Sequence, residues 1–306
     1  MKDEDRPVGI LGPGPFASAL AAAVERAGRP MVTCPGIEDE SLTARLASEC
    51  VVIFLAVHAD ELTPVARALG KVCDGRHVLV HPLRGLVGDA LVPTSVVLRE
   101  HTPVRKIGAL GGPLVASALV AGRPSGGIVG SRFAEVGDAV RRSLVSPMLR
   151  IYVTDDLVGV EVAACLMGTM AMGAGFIRAI GVGPSATAVF LTRGVHEAAT
   201  IGAMWGARRE TFFGLAGLGD LLAAVADDDR PEVQVGRLLG GGMALSDVSS
   251  AVGGTPESIR IGVAVARKAS TAGVDTPIFR ALGDIAAGRP TTDVIAELMK
   301  HERVRE

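Results

Sequence analysis

From residue 7 to about 149, short aliphatic and β-branched runs alternate with longer segments whose apolar residues recur at helical spacing. The runs are Val8-Gly-Ile-Leu11, Met31-Val-Thr33, Cys50-Val-Val-Ile-Phe-Leu-Ala-Val57, His77-Val-Leu-Val80, Lys106-Ile-Gly-Ala-Leu110 and Gly127-Ile-Val-Gly130. Short continuous apolar runs between helices are what a parallel sheet covered on both faces requires. Beyond Val153 they stop. Ala, Leu, Gly and Met at helical spacing dominate from 156 to 300, so the second half is expected to be all helical. The boundary is expected near Arg150, beside the turn Tyr152-Val-Thr-Asp-Asp156, with one domain over 7–149 and another over 150–306. The uncharged stretch 162–177 has 16 residues and is broken up by glycine. That is short for a membrane span and reads as a buried helix.

The first run leads into Gly12-Pro-Gly14-Pro-Phe-Ala17, a G-x-G-x-x-A that opens a helix expected over Ser18–Ala27. Glycines there permit a tight turn and let a pyrophosphate approach the helix N-terminus, where free N–H groups and the helix dipole favour anions. Position after a first strand and before a helix gives the motif its meaning. The expected fold class is therefore α/β, an N-terminal Rossmann-type, doubly wound parallel sheet followed by an all-helical C-terminal domain. Gly12, Gly14, Pro15, Phe16 and Ala17 are the expected cofactor-binding residues, with Ala116 from the segment after the fifth run, and the cofactor is NAD or NADP. Two details are unusual. Pro13 and Pro15 each remove a backbone donor from the loop. The end of the second run, Thr33-Cys-Pro-Gly36, carries neither an acid for a ribose hydroxyl nor an arginine for a 2′-phosphate, although Glu38 or Asp39 can reach back.

Composition narrows the field. The 306 residues carry a formal net charge of −2 and only 3% aromatic residues, which argues against nucleic-acid binding and against a polybasic membrane surface. Four cysteines at 34, 50, 73 and 165 form no C-x-x-C and no pair with histidine at ligand spacing, so no metal and no disulfide framework is expected. The acidic N-terminus, MKDEDRPVGILG, lacks a signal-peptide pattern, and a cytoplasmic protein is expected. Of the 31 basic residues only five are lysines, and none lies between Lys106 and Lys268.

The second half carries Thr192-Arg-Gly194 and then Glu210-Thr-Phe-Phe-Gly-Leu-Ala-Gly-Leu-Gly-Asp-Leu221. With Gly111-Gly-Pro113, Asp155-Asp-Leu-Val-Gly-Val-Glu161 and Thr276-Pro-Ile278, these segments resemble the bacterial NAD(P)-dependent glycerol-3-phosphate dehydrogenases, in order along nearly the whole chain. The resemblance implies an active site in the cleft between the two domains, a small-molecule substrate and a homodimer. It also implies hydride transfer at C2 of glycerol 3-phosphate, with a lysine acting on the C2 oxygen and polar groups holding the phosphate.

Carried over position by position, much of that polar set is replaced. The Ser-Lys-Gly stretch of the Rossmann half resembles Pro82-Leu-Arg84-Gly85, which puts Arg84 at the lysine. The catalytic lysine and its following asparagine fall on Met167 and Gly168. Asp220 is retained, a threonine four positions later is Ala224, and the Ser-Arg-Asn phosphate contact falls near Arg230-Pro231-Glu232. A Glu-Gly pair near the cofactor becomes Gly253-Gly254, and an asparagine before Thr-Arg-Gly becomes Ser185. Arg84 and Arg230 are the expected substrate-binding residues and Asp220 an expected catalytic residue, either orienting a catalytic group or capping a helix. His81 and His58 each stand at the end of a strand-like run, where ligands of such sheets lie. His81 is the candidate to replace lysine as acid or base. The expected function is an NAD(P)-dependent oxidoreductase acting on a small anionic hydroxy or keto compound. The alternative is a non-catalytic relative that binds a nucleotide or a protein partner.

Overall fold

The computed structural model describes residues 5–84, 86–252 and 257–300; Gly85 and the Gly253-Gly254 pair lie outside the described residues. Seven strands form one sheet: β1 Val8–Leu11, β2 Met31–Cys34, β3 Val52–Leu55, β4 Val78–His81, β5 Lys106–Gly111, β6 Ser125–Gly130 and β7 Leu149–Thr154. Their spatial order is β2-β1-β3-β4-β5-β6-β7. Helices α1 Pro15–Arg26, α2 Glu40–Glu49, α3 Leu62–Val72, α4 Thr94–His101, α5 Ala116–Val120 and α6 Ala134–Leu144 cover it. Strands β1 and β4 are buried at every position, as continuous apolar runs demand.

The structure corrects the sequence reading in three places. The sheet is parallel only from β2 to β5; β6 runs antiparallel to β5, and β7 is parallel to β6. The link from β5 to β6 holds a five-residue helix, too little for the crossover that a parallel return needs. The sheet also continues to Thr154, so the expected boundary at 149/150 falls inside β7. That strand alternates, with Leu149 and Ile151 buried and Arg150, Tyr152 and Val153 exposed, which is why it has no apolar run to read. Helix α1 begins at Pro15 rather than Ser18, because proline is favoured at the first helical position, where its missing N–H costs nothing.

The second half is helical: α7 Leu157–Ala179, α8 Gly183–Gly202, α9 Arg209–Phe213, α10 Asp220–Val225, α11 Pro231–Gly240, α12 Leu245–Ala251, α13 Glu257–Thr271, α14 Pro277–Ala286 and α15 Thr291–Met299. A wide π turn, Leu215–Gly219, joins α9 to α10. Helix α7 is long and apolar enough to cross a membrane, but it is the axis of the core, buried against α8, α10, α11 and α13. Leu86, Leu91 and Ala109 of the sheet half enter the same apolar cluster as Val162, Leu166 and Met167 of α7, so the two halves share a core.

Two buried carboxylates pin α7 in place. Asp156, just before it, accepts from Gly159 N at 3.0 Å, and also from Arg208 N and the Thr211 hydroxyl at the start of α9. One turn along, Glu161 accepts from Ser95 N at 2.6 Å and from Ser95 Oγ at 2.8 Å, tying the helical half to α4.

Candidate active site

Strand order reverses at β1, whose neighbours are β2 and β3, and the carboxyl ends of such strands are where open α/β sheets hold ligands. The turn after β1 is clamped to both neighbours. Gly12 N donates to Cys34 O at 2.9 Å and Ala56 N donates to Leu11 O at 2.7 Å. Gly12 has φ +139°, and a Cβ there would collide with Ala56 O, so only glycine lets the turn lie this close to β3. Gly14 differs. Its backbone is extended (φ −82°, ψ 176°), and no protein atom lies within 4 Å of the place a Cβ would occupy. No described residue beyond its chain neighbours requires glycine at Gly14; the space beside it, at the N-terminus of α1, is open. Pro15 has no N–H, so the first-turn donors facing that room belong to Phe16 and Ala17. Ala17 is buried against the sheet, and Ala116, at the start of α5, packs on the same cluster.

Arg84 lies in the loop after β4, at the same edge of the sheet. The helical half meets that edge through the π turn. Gly112, at φ +87° just past β5, brings its backbone so near that a Cβ would stand 3.2 Å from Leu215 O. Asp220 follows this turn as the first residue of α10 and is 1% exposed. A buried carboxylate left alone is costly. Asp220 has two partners: Arg84 Nη1 and Nη2 donate at 2.5 and 2.8 Å, and Arg230 Nη1 and Nη2 donate at 3.2 Å. Its described side-chain hydrogen bonds all come from these two guanidiniums, whose orientation it fixes. Burial pushes the Arg84 pKa down, but the adjoining Asp220 carboxylate more than offsets this and holds the guanidinium charged.

The two arginines are not equivalent. Arg230 is 7% exposed and spends its donors inside the protein, on Asp220 and, through Nε at 3.3 Å, on Glu232. Arg84 is 29% exposed and keeps Nε and one edge of its fork unspent on Asp220. Both are expected substrate contacts; in the structure Arg230 is buried on Asp220 and Glu232, and Arg84 is the more exposed of the two.

Met167 is fully buried in the apolar cluster, alongside Met170. At Gly168 a Cβ would find Glu232 Oε1 at 3.6 Å, so a carboxylate from α11 stands over the bare backbone where the resemblance puts an asparagine. Glu232 and Glu161 were both missed as contributors to the site's architecture. Glu232 offers no signal in the sequence, since a glutamate after proline at a helix start is commonplace, whereas Glu161 is an isolated charge next to the 16-residue uncharged stretch 162–177. His81 ends β4, but it is 1% exposed, with Nε2 3.1 Å from Glu161 Oε1 and off the line of a hydrogen bond. Both ring nitrogens are sealed from solvent, so the structure joins His81 to Glu161 and not to Asp220, Arg84 and Arg230. His58 is exposed.

Comparison with known proteins places this geometry. Residues 156–297 match the family model for the C-terminus of NAD-dependent glycerol-3-phosphate dehydrogenase. Glycerol-3-phosphate dehydrogenase [NAD(P)+] of Synechococcus elongatus is 30% identical over 294 residues, covering 95% of each chain. The chain belongs to the NAD(P)-dependent glycerol-3-phosphate dehydrogenase family. The Leptothrix cholodnii member is 34% identical and covers 99% of this chain and 85% of its own. Among solved structures, glycerol-3-phosphate dehydrogenase from Coxiella burnetii superposes with a TM-score of 0.87 at 20% identity, over 97% of this chain and all of its own, and shares the fold.

Proposed function

We propose that this protein is an NAD(P)-dependent oxidoreductase that interconverts glycerol 3-phosphate and dihydroxyacetone phosphate, or a closely similar small anionic hydroxy and keto pair. The observation that carries the reading is the Arg84–Asp220–Arg230 cluster, set at the sheet edge that also bears the open cradle beside Gly14. Gly12 and Gly14 with the Phe16 and Ala17 N–H groups would hold the pyrophosphate, and Ala116 would border it. When bound, the dinucleotide supplies hydride chemistry at its nicotinamide.

The protein's own part is electrostatic. Arg84, kept charged and aimed by Asp220, takes the substrate's anionic oxygens, while Arg230 and Glu232 hold Asp220 in place from behind. A guanidinium binds an oxyanion well but does not exchange protons near neutral pH, and Met167 has none to exchange. The oxygens of Asp220 are engaged by two arginines. The proton on the substrate's C2 oxygen is therefore exchanged with water, and turnover is slower than with a lysine in place by about 10²–10⁴-fold. In the direction of alcohol oxidation the rate should climb with pH, with no break belonging to a side-chain base. The buried His81 stands beside Glu161, apart from this cluster, and has no part in this scheme.

The same reading places the protein in the cytoplasm as a homodimer, with no nucleic-acid or membrane partner. Light scattering on the eluting protein should give twice the chain mass of 31.4 kDa. The functional test is oxidation of NADH or NADPH by dihydroxyacetone phosphate. Turnover lost in Arg84→Ala supports the assignment, and turnover unchanged by that substitution removes Arg84 from it.

A further inference from the structure

The loop after β2 decides which form of the dinucleotide can be held. In a doubly wound sheet the adenosine ribose lies at the end of this strand, where a carboxylate accepts from the 2′-hydroxyl or an arginine receives a 2′-phosphate. The strand itself ends in Cys34, whose thiol donates to Gly36 O at 2.9 Å and offers nothing to a ribose. Two carboxylates follow, and the structure separates their roles. Asp39 is the N-cap of α2, its Oδ1 taking Ser41 N at 2.9 Å, Leu42 N at 3.1 Å and the Ser41 hydroxyl at 2.6 Å. Glu38 folds back towards the strand, and its carboxylate lies so close over Gly36 that a Cβ on that glycine would collide with Oε2. Glycine at 36 thus makes the space that Glu38 occupies.

The loop itself supplies no cation. The chain has no lysine or arginine from Pro30 to Ala44. The arginines nearest in sequence are committed elsewhere: Arg26 donates to Leu119 O and Val120 O, Arg29 to Arg6 O, and Arg45 to Glu49. A 2′-phosphate brought to this loop would meet Glu38, Asp39 and Glu40, and no lysine or arginine of the loop.

We propose that Glu38 is the ribose acceptor of this chain, folded back over Gly36 to replace the missing acid at the end of β2, and that it selects NADH over NADPH. The assignment rests on the cofactor reading above and deepens it.

The test is fluorescence titration of the purified full-length protein with NADH and with NADPH, without substrate, for wild type, Glu38→Gln and Asp39→Asn. Glu38 is exposed, and asparagine caps a helix as well as aspartate does, so both variants keep the fold. Expected is at least tenfold tighter binding of NADH by the wild type, a hydrogen bond to a charged group and phosphate repulsion both contributing. Glu38→Gln should shrink that ratio about tenfold, and Asp39→Asn should leave most of it. A wild type that prefers NADPH or does not discriminate would overturn the proposal. Equal effects of the two variants would overturn it as well, since that would mean a general acidic field and not one acceptor. Binding of neither dinucleotide would overturn the cofactor reading itself, and this proposal with it.

Discussion

Gly12 and Gly14 belong to one motif, yet the structure gives them opposite reasons for being glycine, and substitution by alanine separates them. At Gly14 the backbone is extended and the Cβ site empty, so a methyl fits without strain. Alanine restricts the unfolded chain, which is worth about 0.4–1 kcal/mol, and loses about as much as a poorer N-cap. Stability should move by no more than about 1 kcal/mol, and the melting temperature by no more than about 4 °C. Binding should suffer far more. The methyl stands in the cradle and holds a pyrophosphate away from Phe16 N and Ala17 N, the donors left once Pro15 is discounted. A hydrogen bond to a charged group contributes about 1.5–3 kcal/mol, so losing even one weakens NADH at least tenfold. At Gly12 the same methyl meets Ala56 O at a φ that alanine rarely adopts, and the cost falls on folding, about 3 kcal/mol or more. The assays are thermal unfolding and NADH titration on both variants. Undiminished NADH binding by Gly14→Ala would refute the placement of the cofactor, and a well-folded Gly12→Ala would refute the close approach to β3.

Other consequences are sharper at the anion cluster. Arg230→Met leaves Asp220 with Arg84 alone and strands Glu232, so a loss of about 3 kcal/mol, the low end for breaking a buried pair, is expected in the thermal midpoint. Arg230→Met combined with Asp220→Leu should recover part of that loss, and a double variant no more stable than the single one would show that the pair does not act as a unit. Met167→Lys with Gly168→Asn puts back the proton-exchanging group; turnover of dihydroxyacetone phosphate should rise about a hundredfold or more, at some cost in stability from the buried amine. An unaltered rate in a folded double variant would mean that the missing lysine does not limit this enzyme. Burial pushes the Cys50, Cys73 and Cys165 thiols from 9.0 to about 12. Because the unfolded thiols ionise first, their stabilising contribution is complete below pH 9 and is lost as pH rises towards 12. Urea midpoints should therefore fall over that window, less steeply in Cys165→Ala, and a thiol reagent at pH 8 should leave these three cysteines untouched in the folded protein.

How much of this was legible in the residues depends on whether a feature is local. The buried strands β1, β3 and β4 announce themselves because both faces are covered and every position must be apolar, whereas β7 shows half its residues to solvent and leaves no run. The 162–177 stretch signals a buried helix for the same reason. The site residues Arg84, Asp220 and Arg230 could each be located by resemblance, but their roles come from pairing across 136 and 10 positions of chain, which no spacing encodes. For Arg230, the sequence suggests a ligand contact and gives no sign of its burial between Asp220 and Glu232. His81 looked like an acid or base because it ends a strand, but α7, entering from the other half, covers it and brings Glu161 to its ring. The roles of Glu38 and Asp39, equally placed in the sequence, are settled only by which one the start of α2 consumes.

The central claim is that this site, without a lysine, still performs the family's oxidoreduction through Arg84 and the dinucleotide cradle. The most direct measurement is NADH consumption at 340 nm with dihydroxyacetone phosphate at high protein concentration, with the glycerol 3-phosphate formed quantified in the same samples. Slow turnover is expected, one glycerol 3-phosphate for each NADH oxidised, abolished by Arg84→Ala and, at limiting NADH, lowered about tenfold by Gly14→Ala. Bound NADH that is never consumed, with dihydroxyacetone phosphate or a related small hydroxy or keto anion present, would contradict it.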